Sequence, residues 1–318
     1  MRIAVIGAGG IGGLYGGLLA RAGHDVAFLA RGAHLAAIKA KGLEVRSPEL
    51  GTFHIDPLAS ADPTDLGQAE LVLLTVKTYD LDAALPATAQ VLAPNGSVLT
   101  FQNGLDAPDQ VASRVGPDHV LIGTTVIETT VVEPGVIGQL SPMHVVTVSA
   151  YDAPPTPKTD HVVEVLQRAG INASAIEDGR RALWEKAMPL IPLATLTSLC
   201  QTAIGPIREL PETRVLTQTL LVEINDVARA CGYDLPQVEE RAMAQLDRIP
   251  PTMKASMARD FDRGGRTELD ALTGAIVRLA DAHGLDIPAT RTAYAALKLR
   301  EQQSQAAREA IGSSTAAR

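Results

Sequence analysis

Apolar residues run almost unbroken in short stretches through the first half of the chain and recur at helical spacing through the second. The run at residues 3–6 stops at Gly7, a helix is predicted over 14–22, and Gly23 separates it from a second run at 25–30. Further runs stand at 71–76, 97–101 and 120–122. Such runs predict parallel strands covered on both faces, with helices as the crossovers. Past Glu128, Pro134-Gly135 and the run 144–149 predict an antiparallel extension of the same sheet. Residues 153–158 read as a proline-rich surface loop, and a short helix over 160–169 follows. In the second half, Leu216, Leu220, Leu221, Ile224, Val227, Ala228 and Cys231 share one helical face, and Leu269, Leu272, Ile276, Val277, Leu279 and Ala280 repeat the pattern. Both helices end in similar words, ARACGYDLP and ADAHGLDIP, with glycine as the stop and proline four residues later. The tail after Arg300 is polar and alanine-rich, and its last residues are expected to lack fixed structure.

The first turn carries the strongest chemical signal. Gly7, Gly9 and Gly12 complete G-x-G-x-x-G between a strand and a helix, as in a dinucleotide-binding βαβ unit. Gly7 permits the turn, Gly9 lets backbone approach a pyrophosphate, and Gly12 lets helix pack on strand. Residues Gly7, Ala8, Gly9, Gly10, Ile11 and Gly12 are therefore the expected cofactor loop, with free N–H groups at the helix start. An acid near the end of the second strand would bind a ribose 2′-hydroxyl, but this strand ends at Ala30 and Arg31 follows. A guanidinium there grips a 2′-phosphate, which favours NADP over NAD. The expected fold is α/β: an N-terminal Rossmann-type dinucleotide-binding domain over residues 1–178, then an all-α C-terminal domain over 179–318.

Composition narrows the setting. A chain of 318 residues, 46% apolar and 20% charged, is long enough for two cores and holds no apolar run of membrane-spanning length. The N-terminus leads straight into a strand, so no signal peptide is expected. Two isolated cysteines, Cys200 and Cys231, suit a reducing cytoplasm. A net charge of −8 argues against nucleic acid or anionic membrane as partner. The apolar helices of the second half allow a homodimer. No cluster of His, Cys and carboxylates has metal-ligand spacing, so no metal is expected.

Four positions could carry chemistry beside such a cofactor. Lys77 in VKTYD and Asn103 in FQNG each follow a strand, at the end of the sheet where ligands bind. Lys186 lies in the helical segment RRALWEKAMPL, and Glu268 in GGRTELD stands twelve residues after Ser256. Singly they read as a surface lysine, a turn asparagine and an exposed helix glutamate; their joint occurrence is what sets them apart.

Together, GAGGIGG, Arg31-Gly32, VKTYD, FQNG, LWEKA, SMARD and RTELD resemble the ketopantoate reductase (2-dehydropantoate 2-reductase) family, in order and spacing, over nearly the full length. The resemblance implies NADPH-dependent reduction of a 2-oxo acid to a 2-hydroxy acid, first of all ketopantoate to pantoate in pantothenate biosynthesis. It implies Lys186 as proton donor and oxyanion stabiliser, and Glu268 as acceptor of a hydrogen bond from the substrate hydroxyl. It further implies Ser256 at the substrate carboxylate, Asn103 positioning substrate and lysine, and Lys77 on the cofactor side. The chain departs from the family where asparagines four and eight residues after the lysine are Leu190 and Ala194, which makes this substrate-binding face more apolar. Pro189 and Pro192 in the same helix each remove a backbone donor. The alternatives are a related NADPH-dependent reductase of a more apolar carbonyl or imine, or a non-catalytic NADP(H)-binding regulator.

Overall fold

The computed structural model describes residues 1–141 and 144–316, with side chains described as far as residue 308. The chain divides into two compact units: Met1–Gln102 with Asp106–Arg180, and Asn103–Leu105 with Arg181–Arg318. A three-residue excursion thus joins the second unit before the first is complete.

In the first unit the chain runs β1 (Arg2–Ile6), α1 (Gly10–Arg21), β2 (Asp25–Leu29), α2 (Gly32–Lys41), β3 (Leu43–Ser47), β4 (Gly51–Ile55) and β5 (Leu58–Ser60). It continues through β6 (Ala69–Leu74), α3 (Leu81–Val91), β7 (Leu92–Thr100), α4 (Ala107–Val115) and β8 (Val120–Val126). The unit ends with β9 (Thr129–Glu133), β10 (Val136–Gln139), β11 (Val145–Ala150), α5 (Pro157–Arg168) and β12 (Asn172–Ala175).

The main sheet has the order β12-β11-β8-β7-β6-β1-β2-β5, parallel from β5 through β8. Winding runs outward from β1 in both directions, the doubly wound order whose crevice lies at the carboxyl ends beside the first strand. Ile3, Val5, Leu71, Leu73 and Leu99 enter one core cluster, and Ala4, Ile6, Val72, Leu74 and Val98 another. That alternation into two cores is why the strands carry no polar face. The run after residue 144 forms β11, antiparallel to β8 as expected.

Several expectations need correction. Pro134-Gly135 does not extend the main sheet; it turns β9 into β10 within a second sheet of order β4-β3-β10-β9. That sheet packs over α1, where a Cβ on Gly13 would fall 2.5 Å from Ile137 and one on Gly16 would fall 2.6 Å from Phe28 of β2. Helix α1, pressed between two sheets, begins at Gly10 rather than at residue 14. Strand β6 stops at Leu74, with the Thr75 N–H donating a last bond to the Ile6 carbonyl of β1, and β7 begins at Leu92 rather than at 97. Helix α5 takes the end of the proline-rich loop, since Thr156 caps it by accepting from the Thr159 N–H.

The rest of the chain is helical: α6 (Gly179–Leu199), α7 (Ile204–Glu209), α8 (Pro211–Ala230), α9 (Val238–Arg248), α10 (Ser256–Asp262), α11 (Thr273–His283) and α12 (Pro288–Ala316). Leu220, Leu221, Ile224, Val227 and Ala228 of α8 and Ile276 and Ala280 of α11 are all buried, as the periodicity predicts. Helix α6 continues through Pro189 and Pro192, both buried. The polar tail after Arg300 continues α12 as far as residue 316; the last two residues, 317–318, where fixed structure was not expected, lie outside the described residues. Among the described residues no helix is long and apolar enough to cross a membrane.

Candidate active site

In the first unit, the carboxyl ends of β1, β2 and β6 gather the cofactor candidates. Gly7 turns the chain at φ +107°, a conformation that side chains resist, and a Cβ there would lie 2.7 Å from the Val76 nitrogen. A Cβ on Gly12 would lie 2.2 Å from the Gly7 carbonyl oxygen, so helix and loop touch only because glycine is present. Gly9, by contrast, borders open space. It is the N-cap of α1 and brings no side chain to cap the helix, whose first turn holds no acid. Bare N–H groups beside an open glycine fit a pyrophosphate, so Gly7–Gly12 suit the dinucleotide that the spacing implies.

Arg31 stands directly after β2 as the N-cap of α2, with its side chain 75% exposed and Nη2 3.6 Å from an Asp80 carboxylate oxygen. An exposed guanidinium there is free to exchange a surface partner for a phosphate. Lys77 follows β6, half-buried, at the start of a short 3-10 turn. Two residues that sequence reasoning missed hold this edge together. Thr75 Oγ1 donates to the Gly7 carbonyl at 2.7 Å. Buried Gln102 donates through Nε2 to the carbonyls of Leu74 (2.9 Å) and Val76 (3.1 Å), tying the end of β7 to the loop that carries Lys77. Thr75 just before VKTYD and Gln102 within FQNG, polar residues at strand ends, were the available signal.

In the second unit, three of the candidates meet. Asn103 Oδ1 accepts from Lys186 Nζ at 3.0 Å, and Asn103 Nδ2 donates to Glu268 Oε2 at 3.3 Å. The amide thus bridges the ammonium to the carboxylate with its acceptor and donor ends correctly matched. Gly104 turns away at φ +113°, where a Cβ would fall 2.7 Å from the Ala271 carbonyl oxygen. Glu268, which taken singly reads as an exposed helix glutamate, sits in the turn before α11, 3% exposed, with its carbonyl accepting from the N–H groups of Ala271 and Leu272. Lys186, near the middle of α6, has its pKa pushed down to about 8 by burial, against an opposing pull from the Glu268 charge. A lysine tuned this way is still cationic at neutral pH, yet acidic enough to give up its proton.

Ser256 begins α10, half-buried, and the preceding Ala255 N–H is accepted by Thr197 Oγ1 of α6 at 3.4 Å. Leu190 and Ala194 lie one and two turns beyond Lys186 on α6 and put an apolar face beside it, Ala194 fully buried. Among the described residues, no group of three or more His, Cys, Asp or Glu could hold a metal ion.

The family model for ketopantoate reductase PanE/ApbA matches residues 3–153, and the model for its C-terminal part matches residues 178–301. A 2-dehydropantoate 2-reductase of Halobacterium salinarum is 31% identical, over 92% of this chain and 96% of its own. Among solved structures, a PanE/ApbA family ketopantoate reductase from Ralstonia eutropha JMP134 is 31% identical and superposes with a TM-score of 0.89, covering 96% of this chain and 100% of its own. A D-mandelate dehydrogenase solved with NADH and anilino(oxo)acetate shares the fold at a TM-score of 0.87 and 20% identity, covering 96% of this chain and 99% of its own.

Proposed function

Since the chain belongs to the ketopantoate reductase family, a family of dinucleotide-dependent oxidoreductases, we propose that it uses NADPH to reduce a 2-oxo acid to a 2-hydroxy acid, with 2-dehydropantoate as first substrate. The observation that carries the reading is the hydrogen-bonded trio Lys186–Asn103–Glu268. When bound, the reduced dinucleotide supplies hydride to the carbonyl carbon. Lys186 stabilises the negative charge that builds on the carbonyl oxygen and delivers its proton there, leaving a neutral amine that solvent reprotonates. Asn103 holds the ammonium, and Glu268 accepts a hydrogen bond from the new hydroxyl. Ser256 binds the substrate carboxylate. Gly7–Gly12 hold the pyrophosphate, Lys77 serves the cofactor, and Arg31 selects the 2′-phosphate of NADP over NAD.

The two reduced cysteines fit a cytoplasmic enzyme. Val215 and Val222, exposed two turns apart on α8, support self-association as a homodimer. A second reading, the same chemistry on a more apolar 2-oxo acid or carbonyl, is favoured by Leu190 and Ala194. The test is NADPH oxidation against a panel of 2-oxo acids, for the wild type and for Leu190→Asn/Ala194→Asn. Turnover of ketopantoate by the wild type supports the first reading. Preference for a bulkier apolar acid, with ketopantoate gained only in the double variant, supports the second; no turnover of any acid contradicts both.

A further inference from the structure

We propose that α12 is a positioning element for Glu268: one polar face of the helix grips the loop that carries this carboxylate, with Lys298 at its centre. The inference rests on the function proposed for Glu268 and adds residues to which that function assigns nothing.

Glu268 belongs to no helix. It stands in the segment 263–272 between α10 and α11, and its carboxylate must reach the Asn103 amide. Both sides of it are anchored to α12. One residue before, Thr267 Oγ1 donates to Glu301 Oε1. Two residues after, Asp270 accepts from the Tyr294 hydroxyl at 2.7 Å and from Lys298 Nζ at 2.6 Å. Lys298 Nζ also donates to Glu301 Oε2 at 3.0 Å, so one ammonium joins the two anchors and screens two carboxylates from each other. Farther along, Arg308 Nη1 donates to the Gly264 carbonyl.

Positions 294, 298, 301 and 308 are spaced by four, three and seven, which sets them along a single helical face. A lone surface ion pair fixes little, whereas a network of several charges and hydroxyls does hold geometry. With 267 and 270 both tied, the loop cannot slide without carrying the Glu268 carboxylate off Asn103. Displacements of this size, far from the reacting atoms, lower rate steeply.

The test uses the full chain with Lys298→Met, Lys298→Arg and the milder Tyr294→Phe. In Lys298→Met, kcat for 2-oxo acid reduction is expected to fall on the order of tenfold, with dinucleotide affinity unchanged. Lys298→Arg should restore most of it, and Tyr294→Phe should fall between. Arg291→Ala, on the same helix α12, which breaks the 2.7 Å ion pair to Asp281 of α11, is the control expected to leave kcat unchanged. A second readout needs no turnover: the Lys186 pKa, followed by NMR of the labelled ammonium, should drop below the wild-type value in Lys298→Met, because a displaced Glu268 supports the charge less. A lowered melting temperature with unchanged kcat and unchanged Lys186 titration would make the stripe purely structural and overturn the proposal. If the wild type reduces no 2-oxo acid, the function proposed above fails, and the NMR titration still decides whether α12 positions Glu268.

Discussion

Lys186→Ala is expected to lower kcat for 2-oxo acid reduction on the order of 10³-fold while NADPH affinity stays at its wild-type value. The size follows from the two tasks that one ammonium performs. It stabilises the oxyanion as charge develops, and it supplies the proton that ends the reaction. Neither task is inherited by Asn103, which has no ionisable proton, nor by Glu268, whose charge repels an oxyanion. Affinity should hold because the dinucleotide loop, Gly7–Gly12, belongs to a unit with its own core. Rapid-quench kinetics paired with a fluorescence titration of NADPH separates the two quantities. Undiminished turnover in this variant would take the lysine out of the mechanism; lost NADPH affinity would mean that its role is structural.

The second large effect is expected at Arg31. Arg31→Ala should raise the Kd for NADPH on the order of 10- to 100-fold, the worth of charge-assisted hydrogen bonds to a phosphate, and leave the Kd for NADH nearly unchanged. The contrast between the two cofactors is the informative quantity, because general damage to the site would weaken both. The β2 strand supports the assignment: no acid closes it, and the guanidinium that follows is largely exposed. Equal weakening of both dinucleotides, by isothermal titration, would refute it.

How much of this was readable beforehand depended on how completely a residue's role is local. Residues 3–6 and 71–74 are buried on both sides of a parallel sheet, so their hydrophobicity alone announced them. Gly7 and Gly12 announced themselves because turn and close approach are demands on a single residue. The second sheet stayed hidden. Its strands β3 and β4, LEVRS and GTFHI, alternate apolar with polar residues and are half-covered, and β3 finds its second partner, β10, some ninety residues later in the chain. Glu268 could not be placed from its own surroundings for a similar reason: nothing local distinguishes a glutamate buried against Asn103 from one on a solvated helix. The polar, alanine-rich tail gave no sign of its contacts. Glu301 and Arg308 look like solvated charges in sequence, and what orders them is a loop more than thirty residues upstream. The proposed trio itself spans 165 residues between its ends and was legible only through the resemblance to a family.

The central claim is that the ammonium of Lys186, lowered by burial and supported by Glu268, is the acid of the reaction. The measurement that tests it most directly is the pH dependence of kcat for NADPH-dependent 2-oxo acid reduction, in the wild type and in Glu268→Gln. Reduction requires the protonated lysine, so kcat should be level at neutral pH and fall as pH rises through about 8. Removing the Glu268 charge takes away the pull that raises this pKa, so the alkaline limb should move to lower pH in the variant. A wild-type profile flat to pH 10 or beyond, or a limb that stays in place when Glu268 loses its charge, would contradict the claim.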